Sequence, residues 1–260
     1  MTVFQAAVLG LIQGLAEFLP VSSSGHLVLA GTLFGIKEGS LELGVLLHLG
    51  TLVPVIIVLR KEILAIIKKP FQKMTGLLVI GTMPAVAAAL ISGDRLDALF
   101  SGGYPLGLGF IVTGVFLLYA DKRAGCTKNE NEITYADAAV AGLMQAAAVA
   151  PGVSRSGSVV AGALGRGISR EAAARFSFLL SIPAILGGAV FSLKDILTEG
   201  SAFAISDAPA LAAGFIAAAA SGYFAVRAML RLVVKAKLKY FSYYVFALGA
   251  FVIVINLISK

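Results

Sequence analysis

The chain has 260 residues, 58% of them hydrophobic and 13% charged, with a mean hydropathy of +0.93, a balance that excludes an ordinary water-soluble globular domain. Its net charge of +7 does not point to nucleic acid, because the basic residues stand in short clusters between apolar runs, as on the cytoplasmic face of a membrane protein. Cys126 is the only cysteine and Trp is absent, which excludes an intrachain disulfide and a Cys/His metal site and leaves Tyr and Phe to occupy the membrane interfaces.

In hydrocarbon the backbone must satisfy its own polar groups, so the recurrent apolar runs, such as Leu43 to Leu59 and Leu77 to Ile91, read as helices. The expected fold class is an all-α polytopic membrane protein forming one membrane domain over 1–260. Met1 to Phe18 are apolar but have no Lys or Arg before them and no small-residue cleavage site after them, so they read as mature structure. They open a pair of short apolar segments, 2–19 and 24–35, separated by a turn of Pro, Ser and Gly. The second segment of this pair is too short to cross a bilayer, which predicts a re-entrant helical hairpin that returns to the side it entered from.

Three full spans follow, at 41–59, 76–92 and 103–120, and at about 19 residues a helix reaches roughly 28 Å, the thickness of the hydrocarbon layer. A second hairpin is predicted at 135–150 and 156–167, then spans at 172–193, 208–228 and 241–258. Arg60, Lys61, Lys68, Lys69 and Lys73 follow the first span, and Arg227, Arg231, Lys235, Lys237 and Lys239 lie between the last two. The positive-inside rule puts both loops, and the 121–134 linker with Lys122, Arg123 and Lys128, on the cytoplasmic side. The linkers near Asp94 to Asp97 and Lys194 to Asp207 lack net positive charge and belong to the other side. Ala- and Gly-rich faces such as Ala210 to Gly222 permit close helix packing, within one chain or between two copies as a homodimer.

The two halves are related. Shifting the sequence by 132 positions matches Ala6-Ala7-Val8 with Ala138-Ala139-Val140, Gly10-Leu11 with Gly142-Leu143, and Gln13 with Gln145. The match continues through Ala16/Ala148, Val21-Ser22/Val153-Ser154, Ser24-Gly25/Ser156-Gly157, Val28/Val160 and Gly35-Ile36/Gly167-Ile168, giving fourteen identities in the 31 positions from Ala6 to Ile36. Residues 1–120 are the expected first repeat and 133–260 the second. An odd number of crossings per repeat makes it an inverted one, and helices broken at corresponding places in two such halves point to a binding site near mid-depth.

Both broken places are polar. In the first, Gln13 and Glu17 are four apart and share a helix face, Pro20 closes that helix, and Ser22, Ser23 and Ser24 precede His26. In the second, Pro151-Gly152-Val153-Ser154-Arg155-Ser156-Gly157 offers a guanidinium fork and hydroxyls at a helix N-terminus, where free N–H groups and the helix dipole attract anions. Together they describe an anion site opposite a metal-capable carboxylate. The serines also serve as helix caps. Glu17 and Arg155 are costly inside an apolar hairpin, by about 2.5–3.5 kcal/mol each on insertion scales, and so mark function, with structural ion pairing as the alternative. His26 reads as general base, nucleophile or ligand, or as a satisfied structural histidine. His48, on a full span, reads as a packing or hydrogen-bonding residue, and Glu171 with Arg175 as a helix-surface pair.

These stretches resemble the bacitracin-resistance family of undecaprenyl-diphosphate phosphatases. The resemblance is carried by Gln13 to Leu27 and by Pro151 to Gly157, and supported by Leu47-His48-Leu49-Gly50-Thr51-Leu52 and Ala174-Arg175-Phe176-Ser177-Phe178-Leu179-Leu180. It implies hydrolysis of a C55 polyprenyl diphosphate to the monophosphate and inorganic phosphate, outside the cytoplasmic membrane, with a divalent cation, Mg²⁺ or Ca²⁺. At the position of Gln13 the family carries Glu or Gln, and this chain has the Gln form. On this reading Glu17 and Gln13 hold the cation, and Arg155, Ser154, Ser22, Ser24, Ser156 and Gly157 bind the phosphates. Ser23 is the preferred nucleophile, activated by His26, with attack by His26 itself or by an activated water left open. The expected partners are the lipid diphosphate and membrane lipids, with no nucleic acid. The competing readings are a transporter or lipid flippase, since inverted repeats with broken helices are a carrier architecture, and an anion channel with Arg155 setting selectivity.

Overall fold

The computed structural model describes residues 1–36, 41–92, 103–123, 125–198, 207–235 and 237–258. Among these, α1 (Val3–Phe18) and α2 (Ser23–Leu33) form the first hairpin. Then come α3 (Leu41–Val58), α4 (Arg60–Lys68), α5 (Lys73–Ser92) and α6 (Gly103–Asp121). After a 3₁₀ turn at Glu130–Glu132, α7 (Tyr135–Ala147) and α8 (Arg155–Gly165) form the second hairpin. The chain ends with α9 (Arg170–Thr198), α10 (Ala208–Lys235) and α11 (Lys239–Ile258).

Five of these helices are long and apolar enough to cross a membrane, and α3 joins them only together with α4, from which it is bent by 85°. Phe4, Leu33, Ile91, Val190 and Phe224 are each 69 to 87% exposed, a surface that lipid rather than water must cover. The chain is thus a multi-pass membrane protein. The expected spans hold, but α9 and α10 run to 29 and 28 residues. The apolar window stops where charges begin, whereas helical hydrogen bonding continues through Arg and Lys, which are good helix formers. The linker positions 94–97 and most of 195–206 lie outside the described residues.

Local chemistry explains the hairpins. Thr2 caps α1 in a reciprocal box with Gln5, and Leu19, forced into an extended conformation by Pro20, ends it. At the same offset of 132, Thr134 caps α7 in a box with Asp137. Ser22 and Ser154 cap α2 and α8, accepting from Gly25 N at 3.3 Å and Gly157 N at 3.1 Å. Gly35 and Gly167 close the hairpins with φ of +67° and +83°. The tips differ in one respect. The left-handed residue of the second is Gly152 (φ +84°), whereas in the first it is Ser22 (φ +71°), a strained choice for a residue with a Cβ.

Small residues decide which helices touch. A Cβ on Gly10 or Gly14 of α1 would run into the backbone of Gly214, Ala218 or Gly222 of α10, and one on Gly142 of α7 would meet the backbone of Gly81 of α5. Gly107 of α6 and Gly249 of α11 approach each other in the same way. The Ala210 to Gly222 face is therefore used within the chain. Each hairpin packs on a span from the other half, and the tips are tied by Ser156 Oγ donating to Leu19 O at 3.1 Å. Gly14→Ala is expected to cost about 1–3 kcal/mol by overpacking and to lower the melting temperature in detergent. Gly187→Ala, where a Cβ meets nothing within 4 Å, is expected to leave it unchanged or raise it.

The basic loops gather at one end. Arg175 of α9 pairs with Glu62 of α4 at 2.6 Å and lies 3.6 Å from Glu130, Lys73 Nζ donates to Asn131 O at 2.7 Å, and Arg170 meets Asp121 at 3.4 Å. Glu171 and Arg175 do pair, at 3.4 Å, but as one arm of a hub joining three segments rather than as an isolated surface contact.

Candidate active site

Pro20 and the strained Ser22 swing the start of α2 back over the last turn of α1, which brings Ser23 onto Glu17. The Ser23 hydroxyl donates to Glu17 Oε2 at 2.6 Å, and Gln13 Nε2 donates to the same oxygen at 3.0 Å. The second hairpin delivers Arg155, whose Nη2 donates to Glu17 Oε1 at 2.5 Å and whose Nη1 donates to Ser177 O at 3.3 Å. Glu17 is 7% exposed, so this ion pair is shielded from screening and each partner depends on the other. The ion pairing that the sequence offered as the alternative reading of these two residues is formed.

Glu17, Ser23 and Arg155 line a cavity of about 480 Å³ that also takes in Ser24, His48, Ser154, Gly44 and Val45 of α3, and Ile185, Gly188 and Ser192 of α9, while Gln13 is fully buried and off its wall. It opens along the first half of α3 and the second half of α9, away from the end where the basic loops meet. Thr113 of α6 anchors the second tip, donating to Gly152 O at 3.0 Å and accepting from Ser154 N at 2.8 Å.

The structure does not bring every expected residue to this cavity. His26 turns outward: Nδ1 contacts Ser22 O at 2.7 Å, Nε2 contacts the Tyr244 hydroxyl at 2.7 Å, and the ring stacks on Tyr244. Both nitrogens are engaged away from Ser23, so the expected Ser23–His26 dyad is not formed. The Ser23 hydroxyl is held by Glu17 instead. Ser22 and Ser156 are 2% exposed and serve as cap and inter-hairpin tie, and the Gly157 amide is taken by Ser154 Oγ. These three hold the turns in shape rather than facing the cavity. Ser24 and Ser154 line it as expected.

His48 is the residue that sequence reasoning undervalued. Its Nδ1 contacts Gly44 O at 2.8 Å, the hydrogen-bonding role expected, but Nε2 lies 3.8 Å from Glu17 Oε2 inside the cavity. The signal was present: an ionisable side chain within a membrane span is a functional candidate whatever its neighbours.

The Glu17 carboxylate, the Gln13 carbonyl and the Ser23 and Ser154 hydroxyls are oxygen ligands suited in kind to Mg²⁺ or Ca²⁺, yet as they stand they are not arranged as a cation cage. Glu17 spends its oxygens on Arg155, Ser23 and Gln13, and Gln13 presents its NH₂ rather than its carbonyl, leaving Oε1 buried without a partner. No group of three or more His, Cys, Asp or Glu suited to a metal occurs among the described residues. In this arrangement the Gln13 carbonyl is turned away from Glu17, so the expected ligand pair is not aligned as it stands. Gln13→Ala removes one hydrogen bond to a carboxylate that keeps two others, so activity is expected to fall about ten-fold, checked in the same assay as the Glu17 variants.

The family described as "Bacitracin resistance protein BacA" matches residues 6–251. The chain belongs to the BacA family. The chain is 49% identical over 260 residues, the whole of both proteins, to the "Undecaprenyl-diphosphatase" of Carboxydothermus hydrogenoformans. It is 44% identical over 252 residues, 97% of this chain and 96% of the relative, to "Undecaprenyl-diphosphatase 4" of Bacillus thuringiensis. An "Undecaprenyl-diphosphatase" of Alkaliphilus metalliredigens is 38% identical over 278 residues, covering 99% of this chain and 100% of that one. Membership of the BacA family runs through both hairpins and all the long helices, so the cavity and the relatives' names concern the same region.

Proposed function

We propose that this protein is an undecaprenyl-diphosphate phosphatase, hydrolysing the C55 lipid diphosphate to the monophosphate and inorganic phosphate. It thereby recycles the lipid carrier of cell-wall synthesis and confers bacitracin resistance. The observation that carries the reading is the meeting, in one cavity, of a serine hydroxyl on a carboxylate from one hairpin with an arginine from the other. The same observation speaks against a carrier, which has no use for a hydroxyl held 2.6 Å from a carboxylate.

The polyprenyl tail lies against the lipid-facing helices and the diphosphate enters the cavity. Arg155 and Ser154 bind its oxygens, and as the guanidinium fork turns to phosphate, Glu17 loses its counter-charge and becomes a stronger base. Ser23 Oγ then attacks the terminal phosphorus while its proton passes to Glu17. The bond from that phosphorus to the bridging oxygen breaks, and prenyl monophosphate leaves with the bridging oxygen. Glu17 passes that proton to the departing bridging oxygen; the carboxylate so restored then takes a proton from water, whose oxygen attacks the phosphoserine phosphorus, and returns it to Ser23 Oγ as the O–P bond breaks and inorganic phosphate is freed. A divalent cation, Mg²⁺ or Ca²⁺, bound beside the diphosphate at Glu17 would neutralise the charge that develops during transfer.

The positive-inside rule assigns the basic end to the cytoplasm of a cell (plasma or inner) membrane, so the cavity opens to the non-cytoplasmic side, where spent carrier is released. We also read 1–120 and 133–260 as an inverted repeat within one membrane domain, supported by the caps, serine contacts and left-handed glycines that recur 132 residues apart.

Purified protein in detergent, given long-chain polyprenyl diphosphate and Mg²⁺, is expected to release phosphate, and Ser23→Ala to release none above background. Acid-quenched protein from a reaction with substrate labelled in the terminal phosphate should carry label on Ser23. Absence of phosphate release by the wild type ends the enzyme reading, and turnover by Ser23→Ala ends the role given to Ser23.

A further inference from the structure

The far end of the molecule from the cavity holds a second hollow, which the proposed reaction does not use. The sequence Arg60-Lys61-Glu62-Ile63-Leu64-Ala65-Ile66-Ile67-Lys68 places charge at both ends of α4 and apolar residues between them. Ile63 and Ile66 pack on the core, whereas Leu64 and Ile67 are 51 and 67% exposed. Since α4 is bent by 85° from α3, it runs across the direction of the span that precedes it. This is the geometry of a helix lying in the plane of the membrane interface.

Between the start of α4 and α10 lies a hollow of about 460 Å³, edged by Arg60, Lys61, Glu62, Arg175, Tyr223 and Arg227. The one carboxylate on this edge is occupied: Glu62 binds Arg175 at 2.6 Å, and Arg175 is further satisfied by Glu171 and Glu130. Arg60, Lys61 and Arg227 have no carboxylate partner among the described residues. Arg227 is held in place, its Nη1 donating to the Tyr223 hydroxyl at 2.7 Å and its guanidinium lying 5.3 Å over the Tyr223 ring. Three cations around one hollow repel each other until an anion joins them. Immediately beside them Ile56, Ile57 and Phe224 are 48, 48 and 70% exposed, so whatever anion binds there is flanked by hydrocarbon-facing surface.

We propose that this hollow binds the phosphate headgroup of an anionic phospholipid in the leaflet at the basic end, with its acyl chains along Ile56, Ile57 and Phe224. Phosphate chemistry alone would also admit free inorganic phosphate. The adjoining apolar residues and the interfacial α4 select the lipid, because a soluble anion gains nothing from them.

The test uses the full chain in neutral detergent, titrated with dioctanoyl phosphatidylglycerol or dioctanoyl phosphatidylcholine and followed by native mass spectrometry. Each cation near a headgroup is worth a factor on the order of five, so the wild type should prefer phosphatidylglycerol by roughly ten-fold or more. Combining Arg60→Gln, Lys61→Gln and Arg227→Gln should abolish the preference. Combining Lys68→Gln, Lys69→Gln and Lys122→Gln removes equal charge away from the hollow and should keep it. If the first combination does not fold, Arg227→Gln alone should weaken the preference several-fold. Preference retained without the three cations overturns the site, and equal loss in both combinations replaces it by diffuse surface charge. Displacement of the lipid by millimolar inorganic phosphate overturns the lipid assignment.

Discussion

Arg155→Ala is expected to lower kcat/KM for a polyprenyl diphosphate roughly a thousand-fold or more. Two losses combine. The diphosphate loses a bidentate donor placed at the N-terminus of α8, and Glu17, 7% exposed, is left buried without its counter-charge. Breaking one side of such a pair costs about 3–5 kcal/mol of stability, so the melting temperature should fall with the activity. Arg155→Lys separates the effects. It keeps a positive charge near Glu17 and should recover much of the stability, but a point charge cannot replace a planar fork, so activity should stay at least ten-fold low. Phosphate release and thermal unfolding, measured on the same preparations, check both halves, and an Arg155→Ala protein of normal activity would remove Arg155 from the site.

Glu17→Gln should reduce kcat by about 10²–10⁴-fold, the range of a general base, with KM changed much less. The amide is nearly isosteric: its oxygen can keep the Arg155 bond in place of Oε1 while its NH₂, in place of Oε2, donates to Ser23 Oγ, so the cavity keeps its shape while losing its proton acceptor. The stability side is also testable: Glu17→Gln leaves Arg155 as an unpaired cation in the interior. The double variant with Arg155→Gln should therefore be more stable than either single variant, a coupling that a double-mutant cycle reads directly. If the double variant shows only the sum of the two single losses, the pair is not coupled as its 2.5 Å contact requires.

The architecture was largely legible in the sequence because its signals are those the bilayer enforces: long apolar windows, basic loops, and turns of Pro, Ser and Gly breaking helices at matching places. Glu17 and Arg155 were legible for the same reason, since a charge in an apolar hairpin stands out. Whether they met was not, because that depends on a separation of 138 positions along the chain and on Gly14, Gly142 and Ser156 setting the approach of the tips. His26 misled because proximity in sequence suggested proximity to Ser23. At the start of a helix, residues three apart lie near one another, but the ring is drawn the other way by Tyr244, a partner 218 positions distant. The serine turns also concealed a division of labour, since Ser22 and Ser156 hold the backbone while Ser23 and Ser154 face the cavity.

The exchange of neighbours between halves has a consequence for biosynthesis. α1 emerges first from the ribosome, yet the helix whose glycines receive it, α10, is not made until some two hundred residues later. At roughly 5–20 residues per second, Glu17 waits ten seconds or longer for the helix that seats it, and several seconds for Arg155. A carboxylate cannot rest in bare hydrocarbon that long without water or a proton, so the first hairpin must linger near the membrane surface or within the insertion machinery until later helices arrive. Truncation before Ala208 should therefore leave α1 and α2 open to protease from the side they entered, and extension through α10 should close them off.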